Sequence, residues 1–223
     1  MAGNGEREAG QLLRQGLALL QLSLAEEQMA GLVRYCLELA KWNRKVNLIA
    51  KDTSLADIVE KHFLDSLTLV PLLDRLLPLG GNLLDVGSGA GFPGLVVKIA
   101  RPAWLVTLLE PRERRAIFLR HIIRTLPLTQ ISVEPSRIEE GRLEKNFHVI
   151  TGRAVADVPS FLAMVEGLVS PETHVVCMQG EGGRQGLGQG DRVGAFTCVG
   201  VEEAKLPRSG AQRFLLLFRR TAA

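Results

Sequence analysis

The sequence has few cysteines, no long hydrophobic run and almost no net charge. Its three cysteines, Cys36, Cys177 and Cys198, form no CxxC pair, which argues against a disulfide scaffold or structural zinc site and favours a reducing compartment. The apolar runs near 95–100 and 214–218 are too short to span a bilayer, and the first residues lack the apolar core of a signal peptide. We therefore expect a cytoplasmic protein with no membrane partner and no metal.

The charge balance leaves the class of partner open. Lysine and arginine number 27 against 24 aspartates and glutamates, so the formal net charge is +3. This mildly basic balance is compatible with a nucleic-acid partner but does not demonstrate one. The length of 223 residues and an apolar fraction of 46% fit one folded domain, alone or with an extension.

The N-terminal part of the chain has the apolar periodicity of helices. Apolar residues recur about every 3.6 positions over 24–43 and again over 53–73, where Pro71 should weaken the last turn. The run Pro-Leu-Gly-Gly at 78–81 breaks this pattern. We therefore predict an N-terminal helical extension over 1–80.

After the break, short apolar runs alternate with helical segments, as in a parallel sheet covered by helices on both faces. We predict parallel strands at 82–87, 104–110, 129–134, 147–151 and 173–178. A glycine-rich loop follows at 180–194, and two strands without a helix between them, 195–199 and 213–219, should pair as an antiparallel hairpin. We therefore assign 81–223 to one α/β domain.

The stretch Leu-Leu-Asp-Val-Gly-Ser-Gly-Ala-Gly-Phe-Pro-Gly at 83–94 carries the strongest chemical signal. An apolar strand runs into closely spaced glycines, including Gly87 and Gly89, before a helix begins. Such a turn lets a ligand approach the backbone. Glu110 ends the next predicted strand, 21 positions after Gly89, the spacing at which a carboxylate reaches a ribose diol. The pattern predicts a site for a nucleoside-containing cofactor.

Two cofactor classes fit this turn. Residues 89–94 formally match the dinucleotide pattern G-x-G-x-x-G. Asp85, however, precedes the first glycine by two residues, where a carboxylate would face a cationic ligand rather than a pyrophosphate. Together with the C-terminal hairpin, this favours an S-adenosylmethionine-dependent methyltransferase over a dehydrogenase.

Four motifs in order along the chain resemble the bacterial 16S rRNA guanine-N7 methyltransferases, also called glucose-inhibited division protein B. They are Trp-Asn-x-x-x-Asn-Leu at 42–48 followed by Lys-His-x-x-Asp-Ser-Leu at 61–67, the glycine turn at 85–94, Ser-Arg-Ile-Glu-Glu at 136–140 and Arg-Ala-Val-Ala at 153–156. The resemblance extends over most of the chain.

The resemblance implies a Rossmann-like class I methyltransferase fold and methylation of one guanine N7 near the ribosomal decoding centre. The cofactor would be S-adenosyl-L-methionine, and the partner 16S rRNA or the assembling small ribosomal subunit. Apart from the resemblance, we expect a monomer. Together with the turn, it points to a cofactor site of Asp85, Gly87, Gly89, Phe92, Glu110, Ile138, Glu139 and Arg153. Asn47, His62 and Asp65 would lie on the substrate side.

Three positions depart from the family pattern. Gly152 stands where the family usually has serine, Gln179 where it usually has lysine, and Glu110 where it usually has aspartate. The first two bear on rRNA affinity and turnover more than on cofactor binding.

Plainer structural roles remain open for several of these residues. Arg153 could hold the target base or only pair with a carboxylate, and Asn47 could hold its loop. His62 and Asp65 could form a hydrogen bond on a helix surface. Arginines between 112 and 124 could contact phosphates or only face solvent. Trp42 and Phe63 could stack on a flipped base, but core packing is favoured.

Guanine N7 carries no proton, so orientation can supply much of the rate and no general base is expected. A small-molecule methyltransferase on the same fold remains an alternative, since a fold does not determine its substrate. An inactive cofactor-binding module associated with the ribosome is another.

Overall fold

The computed structural model describes residues 2–140, 143, 146–183 and 186–221. Its α-helices are α1 (Ala2–Leu19), α2 (Glu26–Asn43), α3 (Leu55–Ile58), α4 (Asp65–Leu67), α5 (Val70–Leu76), α6 (Gly94–Ala100), α7 (Glu113–Thr125) and α8 (Val158–Val165). A π-helical turn, Val59–Leu64, joins α3 to α4. The strands are β1 (Asn82–Val86), β2 (Leu105–Leu109), β3 (Ile131–Glu134), β4 (Val149–Arg153), β5 (His174–Gly180), β6 (Arg192–Val193), β7 (Phe196–Lys205) and β8 (Gln212–Arg220).

The strands form one sheet in the order β3-β2-β1-β4-β5-β8-β7-β6. Strands β1 to β5 are parallel, and β8, β7 and β6 add to them in antiparallel fashion. The predicted α/β fold with a C-terminal hairpin is confirmed. Because β1 and β4 pair in register, with Val86 opposite Gly152, the turn after β1 lies beside the end of β4.

Alternate residues of the central strands enter two hydrophobic cores, one on each face of the sheet. Leu83 of β1 packs with α6, α7 and the helices before residue 81, whereas its neighbour Leu84 packs with α8. The two-residue period of an extended strand places successive side chains on opposite faces. Both faces are therefore covered, as the continuous apolar strands require.

Parts of the secondary-structure prediction are wrong. The expected single helix over 53–73 is divided by the π-helical turn and by a break before α5. Pro71 lies in the first turn of α5, where its missing N–H costs no hydrogen bond, rather than in a weakened last turn. The second error concerns the C-terminal hairpin. Strand β7 continues to Lys205 past a bulge between Cys198 and Gly200, which interrupts the alternation.

Other expectations can be compared with the described residues. Strand β6 lies inside the segment predicted as a loop. Cys36, Cys177 and Cys198 are all buried. Among the helices that the structure describes, none is both long and apolar enough to cross a membrane.

Candidate active site

Two cavities meet at the carboxyl ends of the parallel strands. The larger has a volume of about 490 Å³ and is lined by residues that include Gly87, Phe92, His62, Asp65, Arg153 and Arg213. The smaller, about 160 Å³, is lined mainly by apolar side chains together with Ile138 and Glu139. Gly87 borders both cavities, so a ligand lying across the turn can enter each of them.

The glycine turn is held by the carboxylate predicted from its spacing. Gly87 and Gly89 have φ values of +67° and +59°, which favour glycine. A Cβ atom on Gly87 would lie 3.0 Å from Cγ2 of Val155. Glu110 is buried, and its Oε2 and Oε1 accept the N–H groups of Gly89 and Arg112, both at 2.9 Å. Glu110 thus connects the turn after β1 to the end of β2.

Asp85 lies beneath the turn and does not line either cavity. Its Oδ2 accepts the N–H of Gly94 at 2.9 Å, at the start of α6. Its Oδ1 is buried without a hydrogen-bond partner among the described residues. Burial raises the pKa of this carboxyl to about 7. Asp85 therefore holds the start of α6 and does not make the direct ligand contact that its spacing suggested.

Ile138 and Glu139 occupy a 3₁₀ turn, Ile138–Glu140, beside the smaller cavity. Val86, Leu109 and Pro111 also line this cavity. The lining is largely apolar and includes the carboxylate-bearing Glu139, so the cavity suits an aromatic base with polar edge groups.

A cluster of charged side chains stands on the other side of the turn. Arg153 donates from Nη1 to Asp65 Oδ2 at 2.7 Å and to the Lys61 carbonyl at 2.9 Å. Its Nη2 donates to His62 Nδ1 at 3.2 Å. Arg213 donates from Nε to the other oxygen of Asp65. One buried carboxylate therefore orients two arginines that line the same cavity.

The His62 ring is held as a neutral stacking partner. Its ring centroid lies 5.1 Å from that of Phe92, with the planes 22° apart, and Cζ of Arg153 lies 5.1 Å from the same Phe92 ring. Burial, reinforced by the charge of Arg153, lowers the pKa of His62 to about 4. The plainer alternative of a surface hydrogen bond between His62 and Asp65 does not describe this buried network.

Sequence reasoning missed Tyr35, which supports the turn from below. The Tyr35 hydroxyl donates to the Ala90 carbonyl, and its ring stacks on Phe92 with centroids 5.5 Å apart. Burial raises the pKa of this phenol, so it remains a donor. It is the single tyrosine in the chain and lies on an otherwise apolar helix face, a pattern that signals a buried hydroxyl needing a partner.

Arg213 was also missed, because it begins a strand predicted only as part of an edge hairpin. Strand β8 runs antiparallel to β5, with Arg213 opposite Gly180. The first residues of β8 therefore lie at the functional edge of the sheet. An arginine at the start of an antiparallel strand next to a parallel sheet was the available signal.

The predicted substrate-side residues separate into two places. Asn47 is exposed and borders a different surface cavity, whereas His62 and Asp65 line the main one. The loop is held by Asn43, whose Oδ1 accepts the N–H groups of Leu48 and Ile49, both at 2.9 Å. The alternative loop-holding role considered for Asn47 therefore belongs to Asn43.

The packing of the two aromatic candidates and of the arginines over 112–124 shows where each side chain lies. Phe63 is fully buried against Tyr35, and Trp42 packs on Phe118, as the core-packing alternative required. In the arginine-rich helix, Arg115 lines the main cavity, 3.8 Å from Glu110. The other arginines of that segment, Arg112, Arg114, Arg120 and Arg124, are exposed.

Gly152 and Gln179 depart from the family pattern at the ends of β4 and β5. A Cβ atom at Gly152 would lie 2.5 Å from Cε2 of Phe161, so the ring of Phe161 occupies the space that a serine would need. Gln179 lines the main cavity. Among the described residues, no group of three or more histidine, cysteine or acidic side chains could hold a metal ion.

Solved structures with similar folds support this arrangement of the sheet. The 1,6-didemethyltoxoflavin-N1-methyltransferase of Burkholderia thailandensis, with S-adenosylhomocysteine bound, aligns with a TM-score of 0.54 and 15% identity. The alignment covers 90% of this chain and 92% of the other. A variant of MtNAS in complex with S-adenosylmethionine aligns at 0.56 with 19% identity, covering 88% and 80%. At these identities the likeness concerns the fold, which is that of class I methyltransferases.

Relatives found by sequence have a much higher identity to this chain than these structures do. Ribosomal RNA small subunit methyltransferase G of Desulfotalea psychrophila is 44% identical over 213 residues, covering 93% of this chain and 96% of the relative. The enzyme of the same name from Geobacter metallireducens is 38% identical over 222 residues, covering 96% and 98%. The sequence profile of the GidB family, described as rRNA small subunit methyltransferase G, matches residues 28–214. The chain therefore belongs to the rRNA small subunit methyltransferase G family.

Proposed function

We propose that this chain transfers the methyl group of S-adenosylmethionine to N7 of a guanine in 16S rRNA, near the decoding centre. The family to which it belongs is named for methylation of small-subunit rRNA. We further propose that it acts as a monomer in the cytoplasm, on free rRNA or on an assembling small subunit.

The observation that carries the proposal is the meeting of two unlike cavities at Gly87. One is small and largely apolar, and the other is lined by Lys61, Arg115, Arg153 and Arg213 together with the carboxylate of Asp65. A nucleoside cofactor suits the first cavity, and a segment of a polyanion suits the second. The two ligands would then meet beside the glycine turn.

The residues present fit the cofactor. Ile138 and Glu139 would lie along its adenine, and Gly87 with Gly89 would let it approach the backbone. Glu110 lines neither cavity and holds the N–H of Gly89, so it would reach the ribose hydroxyls from beside the turn. Phe92 and Arg153 would border the reactive end. When bound, S-adenosylmethionine supplies an electrophilic methyl group on a positively charged sulfur, and Asp85 would favour that charge from below.

Of the described side chains that line the larger cavity, none is positioned to remove a proton. Both oxygens of Asp65 accept hydrogen bonds from arginines, and His62 accepts a donor from Arg153 at Nδ1. Guanine N7 needs no proton removed, so these groups can orient the base instead, and the arginines can hold its O6 or an adjacent phosphate. The cavity thus supports catalysis by orientation.

The decisive experiment is methylation by the purified chain, with mapping of the product by mass spectrometry. With S-adenosylmethionine and either naked 16S rRNA or small subunits, we expect one 7-methylguanosine, and cells lacking the gene should lack that modification. Methylation of a small molecule without rRNA would support the first alternative, and binding of the cofactor without turnover would support the inactive module. Single-turnover rates at saturating substrates should show no general-base limb near neutral pH.

A further inference from the structure

The π-helical turn Val59–Leu64 directs two carboxylates toward the same hairpin. The N–H of Asp65 donates to the carbonyl of Glu60, a hydrogen bond that spans five residues. In an α-helix, residues five apart lie roughly 140° apart around the axis. The wider turn brings them to nearly the same side. Glu60 and Asp65 accordingly both contact residues of the β7–β8 hairpin.

Glu60 holds the turn of this hairpin. It is 2% exposed, and its Oε1 accepts the N–H groups of Arg208 and Ser209, both at 2.7 Å, and the Ser209 hydroxyl at 3.2 Å. Charge-assisted hydrogen bonds of this kind are strong and geometrically specific. The hairpin turn is therefore fixed to the helical segment that carries His62 and Asp65.

The same hairpin delivers Arg213 to the cavity. Arg213 follows the turn directly, as the second residue of β8, and donates to Asp65 Oδ1. Asp65 Oδ2 accepts from Arg153, so the two arginines share one carboxylate. A shift of the hairpin turn would move Arg213 and change the charge balance that orients Arg153.

We propose that Glu60 is a positioning residue for methyl transfer, acting through the hairpin turn on Arg213 and thereby on the Asp65–Arg153 pair. This inference rests on the proposed function. Glu60 is not among the residues that line the two cavities at Gly87. Glu60 acts by holding the hairpin that carries Arg213 against the helical segment that carries His62 and Asp65.

Glu60→Gln tests this role, with Glu202→Gln as its matched control. Glu202 of β7 pairs with Arg75 of α5, so the control also changes a carboxylate at a helix–hairpin contact, but away from the cavity. In Glu60→Gln the single-turnover rate at saturating rRNA and cofactor should fall about tenfold, the scale expected for misplaced groups. S-adenosylhomocysteine affinity should change less than twofold, and amide exchange at 208 and 209 should accelerate. The control should match the wild type in rate.

A double variant separates positioning from general stabilisation. If Glu60 acts through Arg213, Glu60→Gln combined with Arg213→Lys should be no slower than Arg213→Lys alone. If the two losses multiply, the route through Arg213 is overturned. A folded Glu60→Gln enzyme with a lower melting temperature but the wild-type rate also overturns the proposal, because Glu60 would then be only structural.

Ser209→Ala provides the test if Glu60→Gln does not fold. It removes the hydroxyl that donates to Glu60 and accepts the N–H of Ala211, so the rate should fall about twofold to threefold. In the Arg213→Lys background the same change should cause no further loss of rate. An unchanged rate in this variant would overturn the proposal. A wild-type chain that methylates no rRNA would overturn the proposed function itself, whereas an active wild type equalled by Glu60→Gln would overturn only the role of Glu60.

Discussion

Among the individual residues, Arg153 makes the most specific contacts in the site. Its guanidinium reaches Asp65, the Lys61 carbonyl and His62 at the same time. A lysine keeps the charge but loses the planar fork that makes these contacts. Arg153 therefore depends on its shape as well as on its charge.

We predict that Arg153→Lys lowers turnover at least about tenfold, which corresponds to about 1.4 kcal/mol of lost transition-state stabilisation. Single-turnover rates on rRNA measure this effect. Arg219→Lys is the control, because Arg219 lies on the same sheet and donates to the Pro171 carbonyl outside the cavity. Near-native turnover in Arg153→Lys would reduce Arg153 to a charge partner of Asp65.

Glu110 combines a predicted ligand contact with a structural one. We predict that Glu110→Gln weakens S-adenosylhomocysteine binding by about 1.5–3 kcal/mol, the scale of hydrogen bonds to charged groups. The loss includes loosening of the glycine turn, because the carboxylate also accepts the N–H of Gly89. Calorimetry measures the affinity, with Glu134→Gln at the end of β3 as control. Unchanged affinity in a folded Glu110→Gln protein would remove Glu110 from the cofactor site.

Asp85 should make folding stability depend on pH. Burial raises its pKa from 3.8 to about 7, so between these values the folded state binds more protons than the unfolded state. Its contribution to stability is therefore lost as the pH rises from about 4 through about 7. His62, with its pKa lowered to about 4, acts in the opposite sense, since the unfolded chain binds more protons below about pH 6.5.

Asp85→Asn isolates the first effect. Melting temperatures of both proteins, taken from about pH 5 to about pH 8, should show the wild type losing stability relative to the variant as the pH rises. His62 and the other titrating groups are common to both proteins and largely cancel in the difference. A difference that stays constant over this range would mean that Asp85 has an ordinary pKa in the folded protein.

At the scale of elements, strand β4 packs against helix α8 through the contact between Gly152 and Phe161. Gly152 leaves room for the ring of Phe161, which would lie 2.5 Å from an added Cβ atom. We predict that Gly152→Ser destabilises the protein by about 1–3 kcal/mol, as overpacking does. Chemical denaturation measures the change.

Phe161→Leu is the companion variant for this prediction. If the clash explains the effect, the double variant should be more stable than the sum of the two single changes indicates. Additive losses would show that Gly152 and Phe161 are not coupled. The serine usual in the family would then be excluded from this chain for some other reason.

For the whole molecule, a ligand that binds only the folded state should stabilise it. We predict that S-adenosylhomocysteine at about a hundred times its dissociation constant stabilises the protein by about 2.7 kcal/mol, seen as a rise in melting temperature. NAD should have no effect, because Asp85 and the hairpin favour the methyltransferase interpretation of the turn. A rise with NAD and none with S-adenosylhomocysteine would contradict the assigned cofactor.

The sequence by itself determined the α/β fold, the glycine turn and the family. These features depend on local patterns: apolar strands alternating with helices, glycines before a helix, and Glu110 at a fixed spacing from Gly89. Each is encoded within a few tens of residues. The periodicity therefore predicted the order of most elements, although it did not reveal the π-helical turn within 53–73.

Only the tertiary structure decided which charged groups meet. Asp65 contacts Arg153 across 88 positions and Arg213 across 148, and Tyr35 reaches Ala90 across 55. No local pattern specifies such contacts, because they depend on the sheet order and on the direction of β8. The same long-range packing placed Asp85 beneath the turn, where its spacing had suggested direct ligand contact, and Asn47 outside the main cavity, where the family resemblance had implied a substrate contact.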